Sequence, residues 1–375
     1  MARTFPRTAL GLSLVALSLA ACGAPPTHSE AGRSPAASAT SAVAAGGMEA
    51  LLKAAKKEGA LNVIALPPDW ANYGEMIEQF SAEYGIRVNS AQPDASSQDE
   101  VNAARQLAAS DRAPDVFDLG ASVALANTAL FAPYRVASWE DVADDHKDPD
   151  AKWLDDYGGF MTIGYDANQV AAPTTIKDLR KPEYKGKVAL NGDPTQASAA
   201  LNGVVAAALG NGGSADDVAP GVEFFADLKK RGNFLPLDPT PATVESGQTA
   251  VVLDWDYQNA GMAKQFKGSK VDWRMVVPAG AVIGSYYMQA INKDAPHPAA
   301  ARLWEEFLFS DKGQNIWLNG LARPVRADAM TKSGTIDAKA YALLPALSGT
   351  PVQLTTAQSD KAKAYVAEHW AQAVN

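Results

Sequence analysis

The sequence predicts an α/β protein. Short apolar runs of strand length recur between stretches with helical spacing, and that alternation implies a parallel sheet with helices on both faces. The chain is long enough for two domains, and its composition is that of an ordinary globular protein, 47% hydrophobic and 20% charged over 375 residues. The charge balance, 33 Lys and Arg against 42 Asp and Glu, is −9, which argues against nucleic acid or an anionic membrane surface as the main partner. Cys22 is the single cysteine, so disulfides and cysteine metal clusters are excluded.

The chain opens on Arg3 and Arg7, followed by an apolar run from Thr8 to Ala21. That run is too short to span a bilayer core of about 30 Å and suits the hydrophobic region of a signal peptide. It ends in Leu19-Ala20-Ala21-Cys22, which resembles a bacterial lipobox. Residues 1–21 are therefore expected to be a signal peptide, with Cys22 as the lipid anchor on the outer face of the bacterial cell membrane. Residues 23–47 are dominated by Ala, Ser, Pro and Gly without hydrophobic period, so 22–47 read as a flexible, lipid-anchored tether.

The body then begins with a helix from Met48 to Glu58 that stops at Gly59. Strand 61–66 follows, then helix 72–84 with Met76, Ile77, Phe80 and Tyr84 on one face, strand 86–88, helix 97–109 and strand 114–119. A second set starts after Asp156. It contains strands 160–165 and 187–190, an Ala-rich helix 196–209, a helix 216–230, strands 250–254, 273–277 and 286–291, helices 298–309 and 310–318, and a last helix near 357–373.

Two strings carry a family resemblance: Asp178-Leu179-Arg180-Lys181-Pro182-Glu183-Tyr184-Lys185-Gly186-Lys187-Val188, and Lys293-Asp294-Ala295-Pro296-His297-Pro298 leading to Trp304, Phe307 and Ser310-Asp311-Lys312-Gly313-Gln314. With the lipobox and the order of elements, they resemble the extracellular solute-binding proteins of ABC importers, in the group of polyamine, iron(III) and small-amine binders. The resemblance covers about residues 48–375. It implies a two-lobed periplasmic-binding-protein clamshell of type II kind, each lobe a mixed sheet flanked by helices, with two crossing strands as hinge near 160–165 and 286–291. Lobe one would be 48–158 plus 288–345 and lobe two 159–287, with 346–375 a C-terminal helix packing on the body. It also implies partners: a small solute, and a permease with its ATPase. A monomer without cofactor, metal or nucleic-acid partner is expected.

Ligands of open α/β sheets sit outside the carboxyl ends of strands. Asp69, Trp70 and Tyr73 follow the first strand, where two aromatic rings suit an amine or methylene chain. Asn72 reads as a helix N-cap with Glu75 three residues on. Ser122 opens a helix after Gly120, with backbone N–H groups suited to an anionic group. Asp193 reads as an N-cap before Pro194, and the family places a ligand carboxylate there. Asp254-Trp255-Asp256-Tyr257 reads as a loop whose acids need a cation if buried. Of Tyr286 and Tyr287, alternation lets only one face the cleft. Arg323 could clamp a carboxylate.

Asn72, Gln196 and Tyr287 stand where polyamine binders carry acids, so a small monocation or zwitterionic amine is expected over spermidine or putrescine. The alternative is iron(III), whose binders use adjacent tyrosines where this chain has only Tyr257 on that loop. A secreted hydrolase is the weakest reading: the histidines His28, His146, His297 and His369 form no HExxH, and neither a GxSxG nor a phosphate loop is present.

Overall fold

The computed structural model describes residues 35–345 and 351–374. The expected signal peptide and the anchor Cys22 lie outside the described residues. Among the described residues, ten strands form two sheets: β1 (Ala60–Ile64), β2 (Arg87–Ala91), β3 (Val116–Gly120), β4 (Phe131–Ala132), β5 (Leu154–Asp166), β6 (Val188–Leu190), β7 (Val251–Trp255), β8 (Trp273–Val276), β9 (Gly284–Asn292) and β10 (Arg323–Pro324). The helices that position the site are α1 (Met48–Glu58), α2 (Tyr73–Tyr84), α3 (Ser97–Gln106), α4 (Ala121–Ala126), α5 (Ser198–Gly210), α6 (Ala219–Arg231), α7 (Pro241–Glu245) and α8 (Asp256–Gln265). They are followed by α9 (Pro298–Leu308), α10 (Asp311–Asn319), α11 (Ala327–Ser333), α12 (Ala338–Tyr341) and α13 (Thr356–Val374).

Of the parallel sheet expected from alternation, the paired strands among the described residues include β1–β2 and β6–β7. The central pairs β3–β9, β5–β9 and β5–β7 are antiparallel, so the large sheet is mixed, as the family resemblance implied. The reason is β5, a fully buried strand of 13 residues. Its first half, to Phe160, pairs with β9, and from Met161 onward it pairs with β7 and β8. One strand thus belongs to both halves of the sheet. A register shift between Asp155 and Gly158 bends it just before the change of partner.

Local chemistry explains the boundaries. Glycines 59, 85 and 232 end α1, α2 and α6 in the left-handed conformation. Ser96 and Asp99 form a capping box at the start of α3. Helix α5 is buried nearly all round, which is why its sequence shows alanines and no polar face. Its neighbour α6 approaches at Gly221, where a Cβ would strike the Val204 carbonyl. Trp370 of α13 packs on Phe225 and Phe234, docking the C-terminal helix against α6.

Three expectations need correction. The flexible tether does not extend to residue 47. Ala36, Ala37, Ala39, Ala42 and Ala45 are buried, Arg302 donates to the Ala39 carbonyl at 2.6 Å, and the Arg135 N–H donates to the Thr40 carbonyl at 2.9 Å. Alanine methyls suffice here because α9 presents a buried guanidinium that needs acceptors and lets the backbone come close. Second, Asp254–Tyr257 is no loop: β7 runs directly into α8, whose first residue is Asp256. Third, neither proposed N-cap acts as one. Asn72 lies at φ 67 and its amide donates to Glu75 and to the Ile316 carbonyl. Asp193 closes a turn by accepting from the Thr195 N–H and hydroxyl, and α5 starts at Ser198 without a side-chain cap.

Candidate functional site

A cleft runs between the loop after β1 and the segments around Asn191 and Pro239. It holds two adjoining chambers, about 610 and 530 Å³, with Asp69, Asn191, Pro239, Pro241 and Gln258 in the walls of both. The loop that forms its upper wall is bent, with Ala65, Ala71 and Asn72 at positive φ. That bend carries Trp70 over the larger chamber.

Trp70 is half-buried and meets the rings of Tyr257 and Tyr287 edge-on, both at 5.7 Å. Tyr287 stacks on Tyr157 at 5.5 Å, and Tyr157 packs on Tyr73 and Trp317. The Trp70 indole N–H donates to the Tyr157 hydroxyl at 2.7 Å, and that hydroxyl donates to Asp118 Oδ2 at 3.0 Å. Both Asp118 and Glu100 reach the larger chamber. Glu100 accepts from the Asp118 N–H at 3.1 Å, which sets two carboxylates side by side. Asp118 Oδ1 has no hydrogen-bond partner among the described residues. Burial pushes Asp118 up to about 7 and Glu100 well above the carboxylate range, with the Asp118 charge adding to the shift of Glu100. Asp156, fully buried behind them, is raised by burial and by Asp118 in the same way.

The residues expected from sequence fall into four groups. Trp70, Tyr287, Asp69 and Asp193 line the larger chamber. Tyr257 lines the smaller one, where Asp254 accepts from Asn191 at 2.9 Å and burial raises its carboxyl to about 7. Tyr73 and Trp255 are buried behind the wall, with Tyr73 accepting from Gln289 at 3.0 Å.

The remaining four do not meet the cleft chambers. Asp256 is buried and accepts from the Phe160 N–H at 3.1 Å and from its own Tyr257 N–H at 2.9 Å. Gly159 leaves room for that carboxylate: a Cβ there would collide with Asp256 Oδ1. Arg323 lies over the Phe160 ring at 5.2 Å, and its charge partly offsets the burial that raises Asp256 to about 7. Tyr286 points to the opposite face of β9 from Tyr287 and meets the His146 ring at 4.6 Å. Ser122 lines a separate chamber on that side, with Tyr286. The strand alternation resolves the tyrosine pair in favour of Tyr287.

Sequence reasoning missed Glu100 and Asp118. Asp118 was placed inside a strand and Glu100 within a helix. The available signal was an acid in an otherwise apolar strand, Val116-Phe117-Asp118-Leu119, a buried charge that calls for a partner.

No helix among the described residues is long and apolar enough to cross a membrane. Solved structures with the same fold include a putative spermidine/putrescine ABC transporter from Listeria monocytogenes, at TM-score 0.65 and 14% identity, covering 84% of this chain and 98% of that one. The ferric binding protein from Campylobacter jejuni gives TM-score 0.64 and 17% identity over 84% and 99% of the two chains. The periplasmic binding protein AfuA from Actinobacillus pleuropneumoniae, with fructose-6-phosphate bound, gives 0.58 and 16% over 84% and 97%. At these identities the likeness shows the fold. No curated protein matches the sequence. The profile of the bacterial extracellular solute-binding proteins matches residues 111–343, more than half of the chain and both halves of the large sheet. The chain belongs to the bacterial extracellular solute-binding protein family.

Proposed function

We propose that this solute-binding protein captures a small cationic amine in the larger chamber of its cleft and delivers it to the permease of an ABC importer. One observation carries the reading. Six acidic side chains line that chamber, Asp69, Asp94, Glu100, Asp118, Asp193 and Asp238, and no Lys, Arg or His does. Trp70 and Tyr287 supply aromatic faces beside the two buried acids. An ammonium in the chamber would pair with Asp118, the buried acid of that wall whose Oδ2 accepts from Tyr157. A zwitterion is less well served, because Arg323, the expected clamp for its carboxylate, does not line the chamber. The two halves joined by β5 act as the lobes of the clamshell in this reading, and Cys22 holds the protein at the membrane.

The iron(III) alternative would draw on Tyr157, Tyr257 and Tyr287, which lie around Asp118. Calorimetry with primary amines, diamines, amino acids, ferric citrate and a sugar phosphate separates the readings. Amines should bind, and Asp118→Asn should weaken them by more than about tenfold, the loss expected when one partner of a buried charge pair is removed. Tight binding of ferric citrate or the sugar phosphate, with no heat from any amine, overturns the assignment.

A further inference from the structure

The two chambers of the cleft differ in chemistry. The larger holds acids and no Lys, Arg or His, whereas the smaller carries five side-chain amides, Asn72, Asn191, Gln258, Gln265 and Asn319, together with Lys264. Asn191 and Gln258 line both, so the amides begin where the chambers join. From there they follow one face of α8. Gln258, Gly261, Met262 and Gln265 all line the smaller chamber, and offsets of three, four and seven positions set them on one side of the helix. Another stretch of wall is fixed at Gly320, where a Cβ would strike Asn72. That close approach sets Asn72 beside the end of α10, whose last residue is Asn319.

Two of these amides are held as acceptors. The Asn191 amide donates to Asp254 at 2.9 Å, and that of Asn72 donates to Glu75 at 2.7 Å and to the Ile316 carbonyl at 3.0 Å. Their Oδ1 atoms accept no hydrogen bond among the described residues, and the Gln258 amide makes none there. All three residues are half-buried, and their unpartnered amide atoms keep open surface. Hydroxyl groups, which both donate and accept, match such a wall, whereas an alkyl tail would strip the amides of water without replacing it. A second ammonium would meet Lys264, and a carboxylate would meet Asp69 and Asp254.

We infer that the solute is an aminated polyol or sugar, its ammonium in the larger chamber and its neutral hydroxyls along α8 in the smaller. This rests on the amine reading above. Calorimetry with four probes of equal carbon number tests it: glucamine, hexylamine, hexamethylenediamine and sorbitol. Glucamine should bind at least about tenfold more tightly than hexylamine, the sum of a few neutral hydrogen bonds. Gly261→Leu places a side chain where a Cβ would meet nothing within 4 Å, and leucine suits a helix better than glycine. It should bring glucamine down to the level of hexylamine, and Gln258→Leu should narrow the ratio. Hexylamine or hexamethylenediamine binding as tightly as glucamine, or a ratio that survives both substitutions, overturns the hydroxyl tail and leaves the amine reading standing. Sorbitol binding as tightly as glucamine, or no heat from any of the four, overturns the amine reading and the inference with it.

Discussion

Trp70 and Tyr157, 87 positions apart in the chain, are joined by a hydrogen bond of 2.7 Å from the indole N–H to the phenol oxygen. The same hydroxyl passes its own proton toward Asp118 at 3.0 Å. The aromatic ring that overhangs the cleft is therefore oriented through a buried tyrosine by the carboxylate proposed to receive the solute. Tyr157→Phe removes both bonds and leaves the Trp70 indole and Asp118 each one partner short. It should cost about 1–3 kcal/mol in urea unfolding with the m-value unchanged, and it should weaken amine binding through a less fixed Trp70. An unaltered midpoint would show that the chain contributes nothing net.

Amine affinity should depend on pH through Asp118. Burial raises its pKa to about 7, so below that value a proton occupies the site of the ammonium. An alkylammonium keeps its charge throughout this range, with a pKa near that of lysine, about 10.4. Affinity should rise by up to about tenfold per pH unit between about pH 5 and 7 and level off above, and Asp118→Asn should flatten the profile. Without solute the sign reverses. The folded state holds this proton to about 7 while the unfolded chain releases it near the ordinary aspartate value, about 3.9, so this group's contribution to stability declines as pH rises through that window. Isothermal calorimetry and urea titrations at several pH values check both halves.

Arg323→Ala distinguishes the observed role of this residue from a ligand clamp. Its guanidinium lies over Phe160 and offsets the burial of Asp256, whose carboxyl is raised to about 7. Above that pH the variant leaves an ionised buried carboxylate without its cation. Below it Asp256 is neutral and only the ring contact is lost. The variant should lose about 2 kcal/mol at pH 8 and about half that at pH 5, with amine affinity changed less than about twofold. A large loss of affinity would return Arg323 to the binding site.

Truncations test the docked N-terminal segment. A chain beginning at Met48 lacks the alanines that pack on the body and the Ala39 carbonyl that accepts from buried Arg302. It should melt about 5 °C or more below a chain beginning at Ser34, because an arginine left buried without its acceptor costs on the order of 1–3 kcal/mol. Equal melting temperatures would mean that the packing is energetically neutral.

The α/β character, the order of most elements and the family were legible from the sequence alone. These depend on local signals: strand-length apolar runs, glycines that end helices, and strings such as Asp178–Val188 that build turns. That Trp70 stands at the cleft was legible because an aromatic residue directly after a buried strand lies at the strand's carboxyl end. Sheet direction was not legible, because alternation of strands and helices is compatible with a strand such as β5 that changes partners midway.

The acids of the cleft were decided by tertiary structure. Glu100 and Asp118 are brought side by side only when α3 packs on β3, and neither neighbours the other in sequence. Asp256, read as a loop acid, is the buried first residue of a helix because β7 enters α8 without a turn. Likewise Tyr286 and Tyr287 are equivalent in sequence, and the direction of β9 in the sheet alone sends one to the cleft and the other to His146. Helices and turns follow from forces between near neighbours in the chain. Which carboxylate loses its water, and what faces it, follows from packing between residues far apart, and that fixes the charge of the cleft.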